Sequence, residues 1–210
     1  MTVEQALSFA AAAAVLTVLP GSDTLLVVRH TMRGGPAAGF LVSIGICLGL
    51  FVHATVSAIG MSAFLHHVPH GFQLLQGLGA AYLSFLGLRS LLAAWKQTPV
   101  AAIEDSGLPT ISVPLRLVEG FLANVLNPKA MIFYIALLPQ FLRPDDPVWV
   151  TSLLFAGIHW VEGMLWLGFL VLALDRVRPW LLSPRTQRIL EAVSGTLLLG
   201  FGIRLAISRL

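Results

Sequence analysis

Two long apolar stretches of this chain are each interrupted by a proline that is closely followed by an ionisable residue. Pro20-Gly21-Ser22-Asp23 interrupts the first stretch, and Asn127-Pro128-Lys129 interrupts a later one. Proline lacks a backbone N–H and clashes with the preceding helical turn, so it breaks a helix. Inside a bilayer, the freed backbone groups need protein or a polar cavity around them. Two such breaks in corresponding places predict the central binding site of a transporter, and kinks that only help packing are the alternative.

The composition indicates an integral membrane protein. The 210 residues are 57% apolar and only 11% charged, whereas soluble domains carry about a quarter charged residues. At roughly 20 residues per span plus loops, this length fits one domain of about six membrane helices. The basic pI rests on few charges and does not indicate a nucleic-acid partner. The single cysteine, Cys47, excludes an internal disulfide and is expected to be a packing residue. No cofactor is expected.

The apolar runs and their interruptions predict six helices in two groups of three. A polar segment, 97–112, is predicted to link a first half, 1–96, to a second half, 113–210. The predicted helices cover about 3–19 with a second piece at 23–32, 37–65, 71–95, 113–127 with a second piece at 129–142, 148–174 and 189–207. Glycine-rich faces on these helices favour close helix packing, and they would serve internal contacts or a homodimer equally well.

The two halves resemble each other when the sequence is shifted by 108 positions. The shift was chosen to superpose Pro20 on Pro128. It then also superposes Pro36 on Pro144, Gly60 on Gly168 and Gly87 on Gly195. Because each repeat has an odd number of helices, the second copy is predicted to be inverted in the membrane. The predicted fold is therefore all-α, with two inverted three-helix repeats in which helices one and four are broken.

Basic residues predict the orientation in the membrane. Nine of them fall on the side reached after helices one, three and five, and three fall on the opposite side. Since basic residues concentrate in cytoplasmic loops, the first side is predicted to be cytoplasmic and both termini periplasmic.

The broken helices carry groups that suit an amino-acid zwitterion. Asp23 can accept the substrate's ammonium group, and Lys129 together with free N–H groups can bind its carboxylate. A plain Asp23–Lys129 salt bridge that ties the two breaks together is an equal alternative. Asn124 and Asn127 can bond the freed backbone, which is favoured, or the substrate. The candidate substrate-binding residues are Pro20, Gly21, Ser22, Asp23, Asn124, Asn127, Pro128 and Lys129.

Three residues are candidates for proton coupling. Glu162 and His159 lie three positions apart and share a helix face, and Asp23 is the rival proton carrier. A carboxyl group in a low-dielectric site favours its protonated form, which suits proton carriage. The alternative role of Glu162 is a structural pairing with His159 or a nearby arginine. His53, alone on helix two, is expected to be a hydrogen-bonded packing residue.

Several segments together resemble the LysE/RhtB family of bacterial inner-membrane amino-acid exporters. They are Pro20-Gly21-Ser22-Asp23 with Arg29-His30-Thr31, the Gly-rich second helix, Leu78-Gly79-Ala80-Ala81-Tyr82-Leu83 with Gly87, Asn127-Pro128-Lys129 and Pro139-Gln140-Phe141. The resemblance covers residues 7 to about 205. The family usually has a second proline where this chain has Ser22. The resemblance implies a multi-pass secondary transporter that exports a small amino acid or related metabolite, with protons and the lipid bilayer as its other partners.

Two other functions compete with amino-acid export. Members of the wider superfamily move cadmium, and a metal-efflux protein could use His53, His159, Glu162 and the loop residues His66, His67 and His70. Metal carriers place several ligands at metal spacing, however, and this chain offers only His159-x-x-Glu162 on a helix. A non-transporting scaffold would not need two charged breaks. No pairing of nucleophile and base indicates an enzyme.

Overall fold

The computed structural model describes residues 1–19, 21–67, 71–96, 112–143, 145–174, 176, 179 and 183–207, with the side chains of 62–67, 71–76, 78, 194 and 205 outside the description. Within these ranges the chain is helical and contains no strand, which confirms the all-α prediction. The predicted linker at 97–112 lies outside the described residues except for Ser112. Pro20, His66, His67 and His70 also lie outside the described backbone or side chains.

The described part of the chain contains seven α-helices of known bounds. Most match the predicted ranges, but the last begins at 184 instead of about 189, and the pieces predicted at 23–32 and 37–65 form one element. The helices are α1 Val3–Val18, α2 Ser22–His67, α3 Gly71–Lys96, α4 Val113–Val125, α5 Pro128–Ile132, α6 Val148–Leu172 and α7 Pro184–Ile207. The predicted interruption between the pieces at 23–32 and 37–65, which falls on Gly34-Gly35-Pro36, is narrower than expected. Only Gly35 leaves the helical conformation, with φ 72° and ψ −177°, so α2 continues on both sides of a kink. This left-handed φ favours glycine, because a Cβ would be strained there.

The second predicted break is a sharp bend. α4 ends at Val125, and the segment Pro128–Phe141 leaves it at an angle of 49°. Asn127 caps the new helix, because its side-chain oxygen accepts the backbone N–H of Lys129 at 3.0 Å. After α5 the backbone widens into a π-helical turn at Phe133–Leu137 and then tightens into a 3₁₀ turn at Leu138–Phe141.

Small residues let the helices pack backbone to backbone. At Gly45 in α2 a Cβ would collide with the carbonyl oxygen of Leu117, and at Gly120 in α4 one would collide with that of Val42. On the other side of the molecule, α3 packs on α7, where a Cβ at Gly87 would lie 2.5 Å from the backbone nitrogen of Leu199. These glycines therefore serve internal contacts.

The number of membrane spans stays a prediction. Among the described residues, Ser22–Met61 and Val148–Leu172 are long and apolar enough to cross a membrane, and the bent pair Val113–Val125 with Pro128–Phe141 makes a third if it is counted as one span. α1 is apolar but has only 16 residues, or about 24 Å of helix. An aromatic cluster joins it to the rest, with Phe9 stacked on Phe155 of α6 at 4.5 Å between ring centroids.

Candidate functional site

The first break presents free carbonyl groups, and the lysine of the second break binds them. Nζ of Lys129 donates to the carbonyl oxygens of Leu16 at 3.3 Å and Leu19 at 3.1 Å. Leu16 is the residue whose helical partner would be the nitrogen of residue 20, and proline has no N–H to give. The ammonium group therefore takes the place of the missing backbone donor at the negative end of α1.

The second break in turn binds the carboxylate of the first. Nδ2 of Asn124 donates to Oδ2 of Asp23, and Nδ2 of Asn127 donates to Oδ1, both at 3.0 Å. The hydroxyl of Ser22 donates to the same carboxylate at 3.3 Å. The expectation that both asparagines mainly serve freed backbone groups is therefore wrong for Asn124. Asn127 does both, because its oxygen caps α5.

Asp23 and Lys129 do not neutralise each other directly. Among the described residues, no ion pair within 4 Å joins them, so the plain salt bridge considered from the sequence is not formed. Each charge is instead held by uncharged groups of the opposite break. The Asp23 carboxylate and the Lys129 ammonium group thus border one site. Each can still form a further hydrogen bond, because an ammonium has three donors and a carboxylate about four acceptor positions.

A cavity of about 60 Å³ lies between the two breaks. At roughly 10–15 Å³ for each water, it has room for several water molecules. Of the predicted binding residues, Gly21, Asp23, Asn124, Asn127 and Lys129 line it, while Ser22 and Pro128 do not. The remaining lining residues are Leu16, Thr17, Leu19, Thr24, Ile46, Cys47, Leu50, Ala130, His159, Gly163 and Leu167.

Two residues that line the cavity each have a buried side-chain oxygen without a hydrogen-bond partner in the described part of the chain, Thr17 at Oγ1 and Asn124 at Oδ1. Asn124 is 1% exposed, and its Oδ1 has no hydrogen-bond donor within the described part of the chain. Buried amide oxygens are normally satisfied, so an unpaired one that borders a cavity indicates a place for a donor from a ligand or a water. Together with Asp23, this oxygen forms an acceptor site for an ammonium group.

The Asn124 carbonyl, four residues before the second proline, is bound by a backbone N–H and by a side chain. The backbone N–H of Asn127 donates to it at 2.9 Å. Residue 128 cannot donate to the Asn124 carbonyl, and Nε2 of His53 contacts that oxygen at 2.9 Å. A carbonyl only accepts, so His53 carries its proton on Nε2. The expectation of a hydrogen-bonded packing histidine is confirmed.

A stack of three rings continues from His53 through the bend into α6. The Tyr134 ring stacks on His53 at 5.9 Å and on His159 at 5.8 Å between centroids. The Tyr134 hydroxyl lies 3.2 Å from Nδ1 of His159, and the Tyr134 carbonyl accepts from Ser57 at 2.9 Å. Tyr134 belongs to the π-helical turn, a conformation that is often found at functional sites. His159 lines the cavity at the end of this stack.

Glu162 is placed apart from the cavity that Asp23 and His159 line. Its Oε2 is buried and has no hydrogen-bond partner among the described residues, so the pairing with His159 or an arginine considered as an alternative is not formed there. His159 bonds Tyr134 instead. The described residues also contain no group of three or more His, Cys, Asp or Glu side chains that could hold a metal ion.

Other polar contacts join separate helices and connections outside the cavity lining. His30 in α2 lies 3.0 Å from Glu119 in α4, a contact that is an ion pair when the imidazole is protonated. In the first turn of α1, Nε2 of Gln5 donates to the Asp146 carboxylate at 2.6 Å and to the Phe141 carbonyl at 2.8 Å. The backbone N–H of Arg143 and the Gln5 amide hold the pKa of the Asp146 carboxyl down at about 2.

We expect the Asp146→Asn variant to unfold at a lower temperature than the intact protein at neutral pH. The ordinary Asp pKa is about 3.9, and folding depresses it, so the stabilisation is complete above pH 4 and disappears as the pH falls through about 2. Thermal unfolding of the detergent-solubilised protein from pH 7 to pH 2 measures this. The difference in unfolding temperature between the Asp146→Asn variant and the intact protein should disappear near pH 2. The Asp145→Asn variant should unfold at the same temperature as the intact protein throughout this pH range. An equal difference for Asp146→Asn at both pH values would contradict the assignment.

Comparison with known proteins places the whole chain among membrane transporters. The family model described as LysE type translocator matches residues 14–209. The uncharacterized membrane protein YrhP of Bacillus subtilis is 30% identical over 96% of this chain and 98% of its own length. The homoserine/homoserine lactone efflux protein of Salmonella typhimurium is 27% identical over 100% of this chain and 99% of its own length. The leucine efflux protein of Salmonella choleraesuis is 26% identical over 91% of this chain and 89% of its own length. No solved structure matches the chain.

Proposed function

Because this chain belongs to the LysE type translocator family, we propose that it exports small amino acids or related metabolites across the inner membrane of a bacterium. The chain is a transporter and not an enzyme, since relatives that match 91–100% of its length are named efflux proteins. Family membership alone does not identify the amino acid that it exports.

The observation that carries the proposal is the cavity bordered by Asp23 and Lys129. The two groups have opposite charges, and each is bound by neutral groups rather than by the other. An amino acid in its zwitterionic form presents the complementary pair. Its ammonium group matches Asp23 and the unpaired oxygen of Asn124, and its carboxylate matches the third N–H of Lys129.

The transport cycle that we propose is alternating access around this cavity, between two inverted repeats of residues 1–96 and 113–210 joined by 97–112. The packing of α3 on α7, the third helix of each half, supports the repeats. Both termini lie in the periplasm in this arrangement, as the basic residues predict.

Proton antiport is the proposed energy source, with Asp23, His159 and Glu162 as the coupling residues. Asp23 and His159 line the same cavity, so a proton and a substrate ammonium compete for one place. Glu162 lies one helical turn from His159 with a buried carboxyl oxygen that has no partner among the described residues. Such an unpartnered carboxyl oxygen on a candidate membrane helix suits a residue that takes up and releases a proton during transport.

Efflux from dipeptide-loaded cells tests the proposal. Bacteria hydrolyse imported dipeptides, and we expect cells that produce this protein to release one or a few amino acids several-fold faster than cells with an empty vector. Collapse of the proton gradient should remove that difference. Equal release of every amino acid by the two strains would overturn amino-acid export, and export that survives without the gradient would overturn proton coupling alone.

A further inference from the structure

Part of the cavity lining is apolar and comes from two helices that pack together. Ile46 and Cys47 of α2 and Leu167 of α6 belong to one hydrophobic cluster, and each is 5% exposed or less. Gly163, one turn before Leu167, is also buried and lines the same cavity. We call these four residues, Ile46, Cys47, Gly163 and Leu167, the apolar wall.

Within the apolar wall, Gly163 packs closely against the sulfur of Cys47. A Cβ at position 163 would lie 2.9 Å from Sγ of Cys47, which is closer than two such atoms normally approach. A methyl group added at 163 would therefore force the Cys47 sulfur to shift. The depth of the cavity at this wall depends on one pair of small residues.

The charges around the cavity limit which side chain can enter. Of the described residues that line it, Asp23 provides the only carboxylate and Lys129 the only ammonium. In the proposed function both are matched by the backbone charges of the substrate. A further charge on the substrate's side chain would have no counter-ion, and burying an unpaired charge is strongly unfavourable.

We propose that the apolar wall is the side-chain subsite of the transporter and selects amino acids with an uncharged side chain, whose maximum size is set by the Gly163–Cys47 contact. This inference rests on the proposed export function and adds the class of substrate. The apolar wall contacts the side chain of the substrate, and it selects by shape and by the absence of charge. Asp23 and Lys129 bind the ammonium and carboxylate groups that all amino acids share.

The test compares competitive export profiles in cells loaded with an equal mixture of alanine, leucine, lysine and glutamate dipeptides. We expect the intact protein to release the neutral amino acids and to leave lysine and glutamate at the empty-vector rate. Gly163→Ala should lower leucine export relative to alanine export by roughly tenfold or more, the discrimination that one extra methylene group gives in an apolar pocket. Gly157→Ala is the matched control, because a Cβ at this position of the same helix meets nothing within 4 Å.

Two further variants keep the test decisive if Gly163→Ala reaches the membrane in low amount. Cys47→Ala removes the contacting sulfur and should raise leucine export relative to alanine, and the double variant should return to the parental ratio. Unchanged ratios in all of these variants would overturn the apolar wall while leaving export established. Lysine or glutamate export by the intact protein would overturn the charge argument. Failure to export any amino acid would instead overturn the proposed function itself.

Discussion

The Asp23→Asn variant should export at least about thirtyfold more slowly than the intact protein while it remains folded in the membrane. Removing a charged partner from a bound ion commonly weakens binding by 2–5 kcal/mol, and each 1.4 kcal/mol is a factor of ten. The fold should survive, because an asparagine oxygen can still accept from Asn127. If Asn124 turns its amide, the unpaired Oδ1 of that residue can accept from the new amide group.

Export of dipeptide-derived amino acids and membrane yield should be measured together for this variant. Asp145→Asn is the matched control, since Asp145 is exposed in the connection before α6 and lines no part of the cavity. Parental export by Asp23→Asn would remove Asp23 from both the substrate-binding and the proton-coupling set. Loss of the protein from the membrane would instead show that the carboxylate is needed for folding.

Lys129→Met should abolish export and also destabilise the protein. Methionine fills much of the same space but has no donor, so the carbonyls of Leu16 and Leu19 lose their bonds. A buried polar group left without a partner costs about 1–3 kcal/mol. The expected result is a clearly lower unfolding temperature in detergent together with export at the background rate.

A second substitution separates the two roles of the lysine. Lys129→Gln keeps N–H donors for the carbonyls but removes the positive charge, so we expect stability closer to that of the intact protein with export still absent. Lys96→Met, at the exposed end of α3, is the control for loss of a lysine elsewhere. Substantial export by the glutamine variant would limit Lys129 to a structural role, and the substrate carboxylate would then need another partner.

The sequence alone located the two breaks and the charged residue at each, because prolines and ionisable groups inside apolar runs are rare enough to be informative. It could not predict how the charges are paired. Asp23 and Lys129 belong to different breaks of the chain. A difference of a few ångströms decides between a direct salt bridge and the observed bonds to Asn124, Asn127 and the α1 carbonyls. Helix boundaries were predicted closely where polar residues mark them, as at Val148 and Gly71.

Other parts of the site left little signal in the sequence. Tyr134 follows an apolar run without periodicity, and nothing in its neighbours indicates a π-helical turn or a stack between two histidines. His53 could have been linked to the second break only by asking which side chain would bind the carbonyl four residues before Pro128. Cys47 was expected to pack and does so, but its place in the cavity wall depends on the contact between α2 and α6.

The reciprocal bonding of the two breaks also has a consequence for how the protein is made. Asp23 leaves the ribosome long before its partner Asn124, which follows 101 positions later. At about 5–20 residues per second, the interval is roughly 5–20 s. During that time the carboxylate and the α1 carbonyls cannot have their final partners, so the newly inserted half must keep them hydrated or held by the insertion machinery. Productive assembly therefore begins only when the second half arrives.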